Sequence, residues 1–295
     1  MRWLVFAWIA LSAIGGSADA KVPQNDQERE AAVQALVWRD GEQLKLPLSN
    51  ATLQAPKEIR QLLGSDARSV YEALNAVEAP HGMEAALYEP KTKSLVFFQK
   101  YTDGFVRLDD WNDVDADAML KSVSEGTEEG NIKRKAAGVS AMHVVGWLER
   151  PHLDRATNTV RWAFELNDDT DGPLVNNVAL VLGRDGFEKL TWAGPKTSLN
   201  DGLLKTAQAS FSFPAGGRYA DFQNGDTVAE YGIAGLVAAV LGAKVAAKLG
   251  IFAVLLVFAK KFGVILLVAG GAAIAWLRKL MGGGKQPPAS PPAAT

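Results

Sequence analysis

Two of the chain's three histidines, His143 and His152, lie within ten positions of each other in HVVGWLERPHLDRATNTVRWAFEL, with Glu149 and Asp154 beside them. Imidazoles and carboxylates are ligands for zinc and partners in general acid–base catalysis, so a metal site or a hydrolytic reaction would be sought here first. A second cluster, DDWNDVDADAML, sets Asp113, Asp115 and Asp117 at the spacing of a calcium loop. That chemistry also needs glycine at the sixth position and a bidentate glutamate at the twelfth, where this chain has Ala118 and Ser124. Capping of a following helix explains the aspartates more simply. The chain has no cysteine, no G-x-S-x-G elbow, no H-E-x-x-H, no G-x-x-x-x-G-K-[ST] loop and no dinucleotide fingerprint after a strand. We therefore assign no catalytic, cofactor-binding or metal-binding residue from the sequence.

The elements around the histidines argue against a shared site. HVVGWLE and VRWAFEL read as two antiparallel strands, with the connection inside RPHLDRATNT. His143 then starts one strand and His152 lies at its far end, more than about 20 Å away at about 3.3 Å per residue. Period-two alternation puts Val160, Trp162, Phe164 and Leu166 on one face of the second strand. Asp-Gly pairs at Asp40-Gly41, Asp103-Gly104 and Asp185-Gly186 each separate apolar stretches and read as hairpin turns. SLVFFQKY and FVRL flank the second; NNVALVLG and FEKLTW flank the third. Ser65 or Asp66 caps a helix running through Asn75, and Asp113 or Asp115 caps a longer one ending near Ala137-Gly138. A third helix, Ser198 to about Phe211, repeats Leu199, Leu203 and Ala207. Hairpins with a few helices predict an α+β domain, largely antiparallel.

Charge and hydropathy divide the chain. No acidic residue follows Glu230, while Lys244, Lys248, Lys260, Lys261, Arg278, Lys279 and Lys285 make that end basic. With the whole chain at −2 and this end at +7, the remainder carries −9, which disfavours nucleic acid as a partner. Residues 1–20, MRWLVFAWIALSAIGGSADA, have the order of a secretory signal peptide, with Ala18-Asp19-Ala20 at the cleavage site; an uncleaved N-terminal anchor is the alternative. Export fits the lack of cysteine, since no free thiol can mispair in an oxidising compartment.

From Ile233 onward, lysines divide an apolar stretch into short runs, the longest Phe262 to Leu277. A span needs about 20 residues, so the predicted transmembrane segment is about 257–277. Lys260 and Lys261 would snorkel at its outer edge, and Trp276, Arg278 and Lys279 would sit at the inner one. The whole of 228–281 is read as helical and membrane-associated. Within it, 228–258 lies on or dips into the outer leaflet through Lys244 and Lys248; a two-span hairpin is the alternative. Residues 21–227 form the exported periplasmic body, and 282–295, rich in Gly, Pro and Ala, form a disordered tail. The junction FPAGGRYADFQNGDTVAEYGIAGLVA puts Arg218, Tyr219, Asp221 and Tyr231 near the headgroups, with Asp226 as a helix N-cap.

The DARSVYEALN helix, the stretch EGTEEGNIKRKAAGVSAMHVVGWLERPHLDRATNTVRWAFEL, the VLGRDG turn and the GGRYADF junction together resemble the bacterial membrane-anchored proteins grouped as domain of unknown function 2167. The resemblance implies an exported domain with a C-terminal anchor and brings no catalytic or ligand residue with it. The expectation is a noncatalytic binding or interaction module on the periplasmic side of the inner membrane, with a single span and the C-terminus in the cytoplasm. Its partners would be the lipid bilayer and an envelope protein or ligand. A membrane-tethered hydrolase using an unrecognised acid or histidine is the alternative.

Overall fold

The computed structural model describes residues 22–242 except 24, 76–77, 137–139 and 195. In chain order the elements are α1 (Asp26–Gln34), β1 (Arg39–Asp40), β2 (Gln43–Lys45), β3 (Thr52–Gln54), β4 (Arg60–Leu63), α2 (Ser65–Asn75), β5 (Met83–Glu89) and β6 (Ser94–Tyr101). They continue with α3 (Ala116–Ala136), β7 (Met142–Asp154), β8 (Thr159–Asp168), β9 (Gly172–Leu182), β10 (Phe187–Ala193), α4 (Leu203–Ser210), β11 (Phe211–Ser212) and α5 (Ile233–Leu241). Eight strands form one sheet in the order β1-β4-β5-β6-β10-β9-β8-β7, every named pair antiparallel, and β11-β3-β2 form a smaller one. The mixed, largely antiparallel α+β class matches the expectation.

Most central strands of the large sheet are apolar on both sides because both faces are covered. Ala85, Leu87, Val96, Phe98, Leu190 and Trp192 face β2, β3, β11 and α4, burying a core with Leu53, Leu204 and Phe213. The alternating residues face helices instead. Leu62, Ala86, Leu95 and Phe97 pack with Ala67 and Val70 of α2, and Val160, Trp162, Phe164 and Leu166 pack with α3 and α5. The four-residue alternation expected on β8 is thus observed, with Trp162 and Val160 fully enclosed.

Helix α2 lies where a helix was expected, but Ser65 is its first residue rather than its cap, and the Gly64 carbonyl accepts the first helical amide, that of Arg68, at 3.2 Å. Helix α3 begins where Asp115 Oδ1 accepts the amide of Ala118 at 3.0 Å, the role read for that aspartate. Two of the three Asp-Gly hairpins differ from expectation. Asp185-Gly186 does join β9 to β10. Asp103-Gly104 does not return β6 on itself: β6 pairs with β5 and β10, and Phe105 bridges Val228 in parallel. Asp40-Gly41 separates strands of different sheets. The turn residues are local, whereas pairing is decided by which partner closes both buried faces. The third helix is also interrupted: a 3-10 turn over Lys196–Asp201 meets α4 at Gly202, whose φ of 80° ends the first segment.

The edge strand β7 extends through Pro151 and His152 to Asp154, so its hairpin with β8 has a shorter connection than expected. Its register slips at Val144/Gly146, Trp147/Glu149 and Glu149/His152.

Residues 228–242 depart from the lipid-lying helix expected there. Ile233, Ala234, Leu236, Val237, Ala238 and Leu241 are buried in the body's own core. An apolar run reads the same whether it is destined for lipid or for a protein interior, and here sheet and α3 take its surface. Its N-terminus is served by Asp110, whose Oδ1 lies 3.4 Å from the amide of Ala234. The predicted cap, Asp226, instead pairs with Arg184 through two contacts of 2.7 Å. No helix among the described residues is long and apolar enough to cross a membrane. The predicted signal peptide, the 257–277 span, the 282–295 tail and Lys244, Lys248, Lys260, Lys261, Trp276, Arg278 and Lys279 lie outside the described residues.

Candidate functional site

The helical face of the large sheet has two separate covers, α2 over the β4–β6 half and α3 with α5 over the β7–β9 half. Between them lies a cleft of about 370 Å³. Its floor is built by alternation on three strands: Phe97, Gln99 and Tyr101 of β6, Phe187, Lys189 and Thr191 of β10, and Asn176 and Val178 of β9. Tyr71 of α2, Thr127 of α3 and Leu236 and Val240 of α5 supply walls. A volume of a few hundred Å³, mostly apolar with a few convergent polar groups, is the usual form of a small-molecule site, which spans about 300–1,000 Å³.

Lys189 is the unusual member. It sits between Gln99 on β6 and Leu180 on β9. Burial alone lowers its ammonium pKa from 10.5 to about 8. Among the described residues no carboxylate pairs with it; its Nζ lies 5.9 Å from the ring centroid of Tyr101. That ring stacks on Phe187 with centroids 4.6 Å apart, and burial followed by the charge of Asp103 pushes its phenol to about 12. Tyr231 donates its hydroxyl hydrogen bond to Asp103, and Gln99 Nε2 donates to the carbonyl of His81 at 2.7 Å. Burial first and Asp103 second raise the Tyr231 phenol. The cleft can therefore hold an apolar body and present one cation to it.

A second polar group lies on the opposite face and does not open into this cleft. Glu84 and Glu188 are both fully enclosed, with Lys100 opposite Glu188 in register. Glu84 Oε2 accepts the amides of Leu48 at 2.7 Å and Ser49 at 3.0 Å, tying down the turn after β2. Lys100 Nζ is held by Asp185 at 2.8 Å. Neither oxygen of Glu188 has a conventional partner, and burial, followed by Glu84, raises its pKa well above the ordinary value. Its contact with Glu84 becomes a hydrogen bond only when a proton lies between them.

The histidines are separated as predicted. His143 Nδ1 lies 2.8 Å from Glu128 Oε1 and Nε2 lies 3.4 Å from Asp169 Oδ1, on the surface; the Glu128 contact is the main cause of its raised pKa. His152 pairs in register with Arg161 at the other end of β7. Glu149 lies 3.6 Å from the Arg161 guanidinium, and Asp154 holds the turn amides of Ala156 and Thr157. Asp117 pairs with Arg150 at 2.6 Å and Asp113 ends a 3-10 turn, so the aspartate run serves a helix start. Of the junction residues, Tyr219 donates to the carbonyl of Val106 at 2.7 Å and Asp221 accepts the amides of Gly216 and Arg218. Lys189 was missed, yet a signal was present. In FEKLTWA, Glu188 and Lys189 are adjacent within an otherwise apolar strand, so if both faces are covered each face must take one charge.

The fold defines a mixed α+β domain on one large antiparallel sheet, with a one-sided cleft between its helical covers. The chain belongs to the family described as Protein of unknown function (DUF2167), whose model matches residues 39–271. No curated protein matches the sequence. The solution structure of cyanobacterial PsbP (CyanoP) from Synechocystis sp. PCC 6803 is similar over 69% of this chain and 99% of that one, at 10% identity and a TM-score of 0.33. So loose a likeness carries no argument about function.

Proposed function

We propose that this protein is a noncatalytic binding module of the bacterial envelope, carried on the periplasmic side of the inner membrane, with the sheet cleft as its binding site. The cleft carries the reading: among the described residues about 370 Å³ lies over β6, β10 and β9, walled by α2, α3 and α5. The placement rests on the signal-like residues 1–20 and the basic apolar stretch after Ala243. The family match runs to residue 271, so most of that stretch belongs to the family along with the body. Lys260, Lys261, Trp276, Arg278 and Lys279 then serve as interfacial anchors of a span at about 257–277, with the C-terminus in the cytoplasm. Lys244 and Lys248 follow α5 directly and would meet lipid headgroups first.

Binding is tested with the full chain in lipid nanodiscs and an uncharged polarity-sensitive dye. Dye fluorescence above that of empty nanodiscs, abolished by Thr191→Trp, supports the cleft; equal signal in parent and variant refutes it. A reporter fused at Lys285 that works only in the cytoplasm tests the orientation. An inactive reporter overturns the single-span placement.

A further inference from the structure

We propose that the cleft takes an amphipathic anion, an apolar chain or ring bearing one carboxylate or phosphate, whose charged group pairs with the Lys189 ammonium. This deepens the binding reading above and rests on it. Phe187 and Thr191, two positions either side of Lys189 on β10, line the same cavity, so the lysine stem is directed into it by strand alternation.

The nearby acids are otherwise engaged. Asp103 accepts the Tyr231 hydroxyl, while Glu84 and Glu188 belong to the opposite face with Lys100. Burial is the cause that shifts Lys189, and among the described residues no carboxylate forms an ion pair with it. Half-buried and without an ion-pair partner among the described residues, this ammonium would gain a charge-assisted hydrogen bond from a ligand anion delivered there. Asn176 and Thr191 add neutral hydrogen-bonding groups to the same wall. Asp103 also lines the cleft, with Tyr231 donating to its carboxylate, while Phe97, Phe164, Leu174 and Val178 give a stretch of wall that suits hydrocarbon. At about 370 Å³ the space accepts one acyl chain or ring system and is too small for a two-chain lipid.

The test uses the full chain in nanodiscs with decanoate, decyl phosphate and methyl decanoate as probes. Lysine acylation by acetic anhydride is read residue by residue by mass spectrometry. Decanoate and decyl phosphate should slow labelling of Lys189 about tenfold or more, leaving exposed Lys45 and Lys57 unchanged, and methyl decanoate should do much less. Lys189→Gln should weaken equilibrium binding of decanoate by about tenfold, and Lys189→Arg should restore most of it. Equal protection by acid and ester would overturn the anion assignment and leave the binding reading standing. No protection by any probe would overturn both. The protection measurement uses the parent chain, so it decides the matter even where a variant folds poorly.

Discussion

Replacing Glu188 by Gln should make the protein more stable as pH rises above the acid range. Glu188 is fully enclosed, neither of its oxygens has a conventional partner, and Glu84 lies against it. Burial, and then the neighbouring carboxyl, raise its native pKa well above 4.5, and Lys100 opposes this only in part because Asp185 also holds it. A raised native pKa means that the folded chain keeps a proton that the unfolded chain has released. The stabilising contribution is therefore complete below 4.5 and is lost as pH climbs through the native value. Across that window one proton separates the two states, so stability falls by about 1.4 kcal/mol per pH unit from this group. Glutamine has the same shape, carries no charge and can donate its amide to Glu84 Oε1, which is otherwise unpartnered. Urea unfolding followed by tryptophan fluorescence from pH 4 to 8 reads the difference. Parent and variant should agree within about 1 kcal/mol at pH 4, and the variant's advantage should widen by about 1.4 kcal/mol per unit above 4.5 until it levels off. Parallel curves, or a parent that gains on the variant with rising pH, would refute the reasoning.

Lys189→Met should raise the urea midpoint at pH 7, because lowering the ammonium from 10.5 to about 8 corresponds to at most about 3 kcal/mol of native-state cost. The sign is opposite to that of Glu188: parent stability rises between pH 8 and 10.5, so the gap to Met must close there. The His143 ring should titrate above 6.5 by NMR, and Glu128→Gln should bring it back toward that value, since the Glu128 contact is the main cause of the shift. Gly186→Ala should lower the melting temperature, at a cost of about 1–3 kcal/mol, because φ is +146° and the added methyl would run into the Tyr101 carbonyl. The same change at Gly146, where nothing lies within 4 Å, should leave the melting temperature close to that of the parent.

Signals confined to one element were legible in the sequence. Ser65–Asn75 combines a start signal with apolar residues on one helical face, and a helix is found there, beginning one position earlier than a Ser65 cap implies. The β9–β10 hairpin and the shared face of Val160, Trp162, Phe164 and Leu166 were legible for the same reason. What could not be read was who pairs with whom. Strand β6 reaches β10, some 90 residues on, in preference to the chain directly after Gly104, because only a neighbour apolar on both sides could sit between β6 and β9. The fate of Ile233–Leu241 was hidden because composition does not distinguish lipid from protein interior. The candidate site was illegible as a site: Lys189, Tyr101 and Asn176 come from three strands, and their meeting depends on the two helical covers leaving a gap.

A sheet of eight strands has two outer rims, and each can seed growth by recruiting another copy. One rim, β1, is two residues long and gives a newcomer little to zip onto. The other, β7, is thirteen residues long, but its ladder falls out of step three times and carries Pro151, which has no N–H to offer. A second molecule docking there would find too few bonds in phase to extend, so the irregularities of β7 act as a built-in stop against fibril growth.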